Sequence, residues 1–495
     1  MEIEEAKRRA RSGPLLLLAR RAFGIAITFA STVTVARLID PREYGLANMS
    51  VVILAFAQVF REFGLTNAIL RKGKIDPAEM SFLFWFNAAA TIALAIILGV
   101  GAPFAARFYH EPIVEYVIYL SLVGFVIGGL SLQHRALMGR DLRFGSVAMI
   151  DSAALAIGFS TTLVLAFLWG NVWAIVCGSV AQSISASILY VTRSGWAPGR
   201  PQKVENLSEL LKFGANASIF SISTFLSNNG ASILLGHFLG PVPLGHYNRA
   251  QTLYKIPNTN LVQPIAQAVM PLLTRLRPDP VEYRIAYLDL VTKLCTFLFP
   301  MSVALTVVAV PLLETLLGAR WHNAGVAFAG LAPSLFAVAL AYSISDLFIT
   351  QNRAGELRNL GLIEMVIRLG TIAVCVQFGL FATAVGFTAS TILAAVLRMI
   401  VAGRKGPVTV KDQLSAALPG VPLAIGAGVG SGAVALASHV TPISTAGLAV
   451  CELALGAVFA LGGGLCISSS RRALLSILAI FGADRFVRRL SKRAA

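Results

Sequence analysis

Apolar stretches of about twenty residues recur from one end of this chain to the other, and each is long enough to cross a hydrocarbon core of about 30 Å as a helix. They fall at 15–36, 45–67, 81–104, 114–133, 146–168, 172–192 and 213–235, then at 245–270, 286–310, 326–350, 359–378, 382–402, 416–438 and 445–467. In lipid every backbone polar group needs an internal partner, so helices are the element that such segments form. The expected fold is therefore an all-α integral membrane protein of about 14 transmembrane helices. Only 13% of the 495 residues are charged and 56% are hydrophobic, against about 25% charged in soluble domains. No sizeable soluble domain fits between the spans.

A net charge of +17 would suggest nucleic acid in a soluble protein. Its placement argues for topology instead. Basic residues gather before the first span (Lys7, Arg8, Arg9, Arg11) and in alternate loops, such as Arg71, Lys72 and Lys74, Arg135 to Arg143, Arg193 to Lys203, and Arg404 and Lys405. The other side of the membrane carries only Arg37, Arg42, Arg107 and Arg320. By the positive-inside rule both termini are cytoplasmic. The first span lacks a small-residue cleavage site and reads as an uncleaved membrane helix. The tail from Arg471 to Arg493 reads as a basic amphipathic helix on anionic lipid. Five cysteines sit in apolar segments without a CxxC pair, which points to neither a disulfide framework nor a zinc site.

An internal repeat appears at an offset of two hundred residues. Residues 36–48 align with 236–248, and Pro41/Pro241, Gly45/Gly245 and Asn48/Asn248 coincide. Each copy joins the first two spans of a six-span half, where proline and glycine suit a tight turn. Asp141-Leu142-Arg143 and Glu356-Leu357-Arg358 form a weaker echo. Parallel repeats of this kind build two six-helix bundles related by a pseudo-twofold axis along the membrane normal. The expected organisation is a short N-terminus (1–14), bundles at 15–200 and 201–405, two further helices within 406–468, and a basic tail (469–495).

The chain resembles the Wzx-type oligosaccharide-lipid flippases and polysaccharide exporters, of the superfamily that also holds the multidrug and toxin extrusion (MATE) transporters. The resemblance covers residues 10–405. It is carried by Ala36-Arg37-Leu38 through Tyr44-Gly45-Leu46, Phe63-Gly64-Leu65, Phe84-Trp85-Phe86-Asn87, Ala105-Ala106-Arg107-Phe108-Tyr109, Arg140-Asp141-Leu142-Arg143-Phe144 and Gly245-His246-Tyr247-Asn248-Arg249-Ala250. Where that family often has a charged Arg-Asn-x-Asp-Asn-like run, this chain has Asn228-Asn229-Gly230-Ala231-Ser232, polar but uncharged.

The resemblance implies two MATE-like bundles and a monomeric flippase of the bacterial inner membrane. Its implied cargo is an undecaprenyl-diphosphate-linked oligosaccharide for exopolysaccharide, capsule or O-antigen. A coupling ion, H+ or Na+, and a polysaccharide polymerase or copolymerase are the partners it brings with it. The runner-up is a cation-coupled multidrug exporter. A membrane enzyme needs a large outer loop or a His and Asp constellation, and every outer loop here is short. No catalytic group, cofactor or metal site is expected, and no GxxxxGK[ST] loop is present.

Moving a diphosphate and many hydroxyls past hydrocarbon requires cations and amides along the path. The candidate binding residues are Lys255, Arg249, Arg398, Asn228, Asn229 and Gln251, and the gating or ion-coupling candidates are Glu364, Arg368 and Asp151. Each has a plainer alternative. Arg398 and Lys293 can snorkel to the interface, and Arg249 can anchor a helix end. Glu364 and Arg368, spaced i, i+4, can neutralise each other. Arg61 reads as interfacial, and Asp151, Asp289 and Asp346, without an obvious local partner, read as solvated acids. The further amides Asn258, Asn260, Gln263 and Gln267 make the eighth span polar, whether for sugar hydroxyls or for helix contacts. Pro257 and Pro264 are expected to break that span and Pro271 to end it. The glycines at 426, 428, 430 and 432 read as close helix packing, and His110, His322 and His439 as solvated.

Overall fold

The structure, a computed structural model, describes residues 30–62, 77–141, 143–200, 207–438, 444–466 and 470–471. Most of the first expected span, residues 63–76 with the Phe63-Gly64-Leu65 motif, His439 and the basic tail after Arg471 lie outside the described residues. Among the described residues the secondary structure is entirely helical. Eleven helices among the described residues are long and apolar enough to cross a membrane, and they coincide with eleven of the fourteen expected spans. In the helix over Phe144–Trp169 only 17% of the apolar window is buried. An apolar surface of that extent is stable against lipid, not water. The protein is a multi-pass membrane protein.

The chain forms two compact units, Met1–Gly245 and His246–Ala495. The first holds helical residues 30–38 and then α1 (Pro41–Glu62), α2 (Pro77–Tyr109), α3 (Ile113–Leu130), α4 (Leu132–Arg140), α5 (Phe144–Trp169), α6 (Val172–Ser194) and α7 (Leu207–Leu239). α5 ends where Gly170 takes the left-handed conformation (φ 62°). α6 then starts on Asn171, whose side chain accepts from the Trp173 N–H at 3.2 Å, so one cap closes α5 and the next opens α6. Their faces meet without bulk, because a side chain on Gly178 would overlap Thr162.

One end of this unit gathers four turns. Arg42 pairs with Glu111 at 2.9 Å, Glu43 accepts from the Val172 N–H at 2.7 Å, and the His237 ring bonds the Phe108 carbonyl at 2.7 Å. At the opposite end Arg135 pairs with Asp151 at 3.0 Å. There Trp85 donates to the Gly199 carbonyl at 2.9 Å.

The unit boundary falls inside α8 (Pro241–Pro257). A π-helical turn, Asn258–Val262, follows, then α9 (Gln263–Leu276), α10 (Pro280–Val307), α11 (Ala309–Leu317), α12 (His322–Leu331), α13 (Leu335–Thr350), α14 (Ala354–Cys375), α15 (Leu380–Arg404), α16 (Val410–Ala417), α17 (Gly420–Ala437) and α18 (Thr445–Cys466). α10 is the central column of the second unit. Its Tyr283, Tyr287, Leu290, Leu294 and Leu298 meet Ile344, Leu347 and Phe348 of α13 and Met399 of α15. Tyr283 is fully buried, and its hydroxyl is satisfied by Thr350 at 2.6 Å. Arg353 caps the far end of α15 by donating to the carbonyls of Val401 at 3.0 Å, Ala402 at 3.2 Å, and Lys405.

Two expectations about proline and glycine are corrected. Pro271 does not end the eighth span; it lies inside α9, since a proline removes one ladder bond and neighbouring turns carry the helix on. Nor do Pro41, Gly45, Pro241 and Gly245 make the turns of the repeat. The prolines open α1 and α8, where the missing N–H is no loss, and the glycines lie in the first turns of those helices. The left-handed turn residue is Gly240 (φ 80°). In the glycine-rich span Gly426 and Gly430 of α17 pack against the Phe459 and Leu455 carbonyls of α18 and Gly428 against Val303 of α10, whereas Gly432 faces open space.

Candidate functional site

The second unit concentrates charge and amides on four neighbouring elements. α8 carries Gln251 and Lys255 one turn apart, and Lys255 donates to the Gln251 amide oxygen at 3.1 Å. Gln251 is buried while Lys255 is exposed. Arg249 donates to Asn248 at 2.7 Å. The ladder then loosens into the π turn between Pro257 and Pro264, two residues that cannot donate to it. Asn258 and Gln263, at the edges of that turn, both donate to the Tyr342 hydroxyl of α13 at 3.2 Å.

Tyr254 links α8 to the rest. Its hydroxyl shares a hydrogen bond with Ser334 at 2.7 Å, and its ring meets Phe387 edge-on at 5.9 Å. The Arg368 guanidinium lies 4.8 Å from the centre of the same Phe387 ring, a cation–π geometry, and donates to Thr391 at 3.2 Å. One turn before Arg368 on α14, Glu364 receives Nε and an Nη of Arg398, each at 2.5 Å. The other Nη of Arg398 reaches the Ala341 carbonyl at 3.1 Å and Ser345 at 2.7 Å. A single guanidinium therefore ties α13, α14 and α15.

Several single-residue readings change accordingly. Arg398 does not snorkel. Glu364 engages it with both oxygens across two helices, because a planar fork meets a carboxylate head-on, and this displaces the i, i+4 pairing with Arg368. Arg61 is not interfacial: it is buried, donates to the Phe125 carbonyl at 3.0 Å and covers the Phe125 ring at 4.7 Å. Asp151 is paired with Arg135 and also accepts from Tyr190 at 2.7 Å. Asp289 takes Lys293 at 2.6 Å, one turn on. His322 pairs with Glu314 at 2.7 Å.

Of the site candidates, the structure brings Lys255 to Gln251 and sets Glu364, Arg368 and Arg398 on neighbouring helices. Asn228, Asn229 and Asp151 belong to the first unit, where Asn229 donates to the Phe225 carbonyl at 3.1 Å. The sequence reading passed over Tyr254, Tyr342, Ser345, Phe387 and Thr391, since hydroxyls and rings in an apolar span carry no pattern of their own. It also passed over Glu452, a fully buried acid in α18, visible only as one acid in the fourteenth span. Among the described residues no group of His, Cys, Asp and Glu could hold a metal ion.

With this geometry in place, likeness to known proteins decides the family. The sequence family described as "Polysaccharide biosynthesis protein" matches residues 34–325. The chain belongs to that family. It is the Wzx-type group of transporters that the motifs resemble. The lipopolysaccharide biosynthesis protein WzxC of Escherichia coli (strain K12) is 26% identical over 301 residues, 60% of this chain. The matched part spans 61% of that relative's length.

Two solved structures share the architecture. The lipid II flippase MurJ, in an inward closed conformation, aligns over 91% of this chain and 97% of its own, with a TM-score of 0.68 at 12% identity. An inward-facing multidrug resistance MATE family transporter aligns over 79% and 96%, with a TM-score of 0.60 at 15% identity. At such identities the likeness is one of fold. Family membership places the chain among the polysaccharide biosynthesis proteins, and the likeness to the multidrug transporter is one of architecture.

Proposed function

We propose that this transporter moves a polyprenyl-diphosphate-linked oligosaccharide repeat unit across the bacterial inner membrane for cell-surface polysaccharide. The observation that carries the reading is the polar surface of α8, the π turn, α13 and α14 inside a transporter fold. It offers cations at Lys255, Arg249 and Arg368 for a diphosphate, and amides at Gln251, Asn258 and Gln263 for sugar hydroxyls. An uncompensated diphosphate in hydrocarbon is prohibitive, whereas cations and amides replace the water it loses.

Asn228 and Asn229, in the first unit, are further candidates for sugar hydroxyls. Arg398 and Glu364 hold the helices that carry Arg368. Transport by alternating access uses two six-helix halves, 15–200 and 201–405, with two additional helices in 406–468 and both termini cytoplasmic, as the basic loops require. H+ or Na+ is the coupling ion of this scheme, and a polymerase or copolymerase takes the product.

Depleting the protein from its host and assigning lipid-linked oligosaccharide to each leaflet tests the reading. Accumulation on the cytoplasmic leaflet, with loss of surface polysaccharide, is expected. Unchanged leaflet distribution would refute it.

A further inference from the structure

Asn258 and Gln263 stand five residues apart, and at about 100° per residue an α-helix would aim them to different sides. In the π turn the ladder steps by five instead, and the Gln263 N–H bonds the Asn258 carbonyl. The two amides are thereby stacked, and both reach one hydroxyl, that of Tyr342, at 3.2 Å. Neighbouring side chains support the turn. Thr259 donates to the Lys255 carbonyl at 3.0 Å and Asn260 to the Ile256 carbonyl at 3.1 Å, while Pro264 has no N–H with which to continue an α ladder.

Convergence of two amides fixes what this hydroxyl can do. A hydroxyl has one proton to give and two lone pairs to fill. Asn258 Nδ2 and Gln263 Nε2 fill both lone pairs, so only the proton remains, and no group among the described residues accepts it. Accepting two hydrogen bonds also polarises the O–H bond and makes it a stronger donor. The Tyr342 ring packs against the core that joins α10 and α13, which sets the donor in place. Lys255, three residues before Asn258, shares its helix face and is exposed. A cation beside a committed donor suits an oxygen that bears charge and has no proton of its own, which describes a phosphate and not a sugar hydroxyl.

We propose that Asn258 and Gln263 commit the Tyr342 hydroxyl to donate to a phosphate oxygen of the transported lipid, beside Lys255. The identity of that anion rests on the transport reading; the commitment of the hydroxyl does not.

The test measures binding of farnesyl diphosphate, a short prenyl diphosphate, to the purified full-length protein by calorimetry. Tyr342→Phe should weaken binding roughly tenfold or more, as the loss of one hydrogen bond to a charged group requires. A merely structural link between the π turn and α13 is separated by 3-fluorotyrosine at position 342, whose hydroxyl is a stronger donor and a weaker acceptor. Its binding should be at least as tight as that of the unaltered protein even if melting falls, and it keeps the test open should Tyr342→Phe fail to insert. Tyr283→Phe, which loses a buried hydroxyl bonded to Thr350, should lower melting and leave binding unchanged. Inorganic pyrophosphate should displace the probe, and phosphatidylglycerol should not. Undiminished binding in Tyr342→Phe, an equal loss in Tyr283→Phe, or fluorotyrosine binding as weak as that of the phenylalanine variant overturns the donor role and leaves the transport reading standing. Displacement by phosphatidylglycerol alone gives the donor to a bilayer lipid and likewise overturns it. Farnesol bound as tightly as farnesyl diphosphate overturns both.

Discussion

Arg398 and Lys255 show how two cations of one unit come to different roles. Arg398 has its guanidinium filled by Glu364, Ala341 and Ser345, so it holds helices together. Removing one member of such a pair strands the other charge, which costs about 3–5 kcal/mol. Arg398→Ala and Glu364→Ala should therefore each lower the melting temperature of the purified protein sharply, and the double replacement by leucine should recover most of the loss. An equal loss in the double variant would show that the pair is not what Arg398 contributes. Lys255 is different. Its hydrogen bond goes to a neutral amide on its own helix, so Lys255→Ala should leave melting unchanged. A hydrogen bond to a charged group contributes about 1.5–3 kcal/mol, and its loss should slow cargo movement roughly tenfold to a hundredfold, read as restored accumulation of cargo on the inner leaflet.

At the scale of elements, glycine decides which helices can touch. A Cβ on Gly430 would overlap the Leu455 carbonyl, whereas one on Gly432 meets nothing within 4 Å. Gly430→Val should destabilise the α17–α18 pair by about 1–3 kcal/mol, the usual range for overpacking, and Gly432→Val should be silent; thermal unfolding of both variants checks this. The sequence showed these elements well. Eleven spans emerged from apolar length alone, because lipid imposes that length on every helix. The eighth span was harder, since Pro257, Pro264 and Pro271 look alike in sequence but give a π turn at one place and an uninterrupted helix at another. The partner of Glu364 was hidden for the same kind of reason. An i, i+4 neighbour is visible in a string of letters, but Arg398, thirty-four residues on, becomes a neighbour only after α14 and α15 pack.

For the whole molecule, the repeat was legible as a spacing of two hundred residues, but its meaning was not. Proline and glycine together read as a turn, and only packed backbones revealed Gly45 and Gly245 as contact points. The alternation of charge between loops is read from sequence alone, and the orientation it implies belongs to the proposal. The central claim is that a cationic, amide-lined surface lets an anionic headgroup cross while its lipid chain stays in the bilayer. Purified protein in liposomes, loaded with a polyprenyl-diphosphate-linked oligosaccharide and probed with an impermeant glycosidase, measures this directly. Inner-leaflet glycan is expected to become accessible with the protein and not in empty liposomes, and the same glycan on an uncharged lipid to cross far more slowly. Equal rates for the charged and uncharged lipids, or equal rates with and without protein, would contradict it.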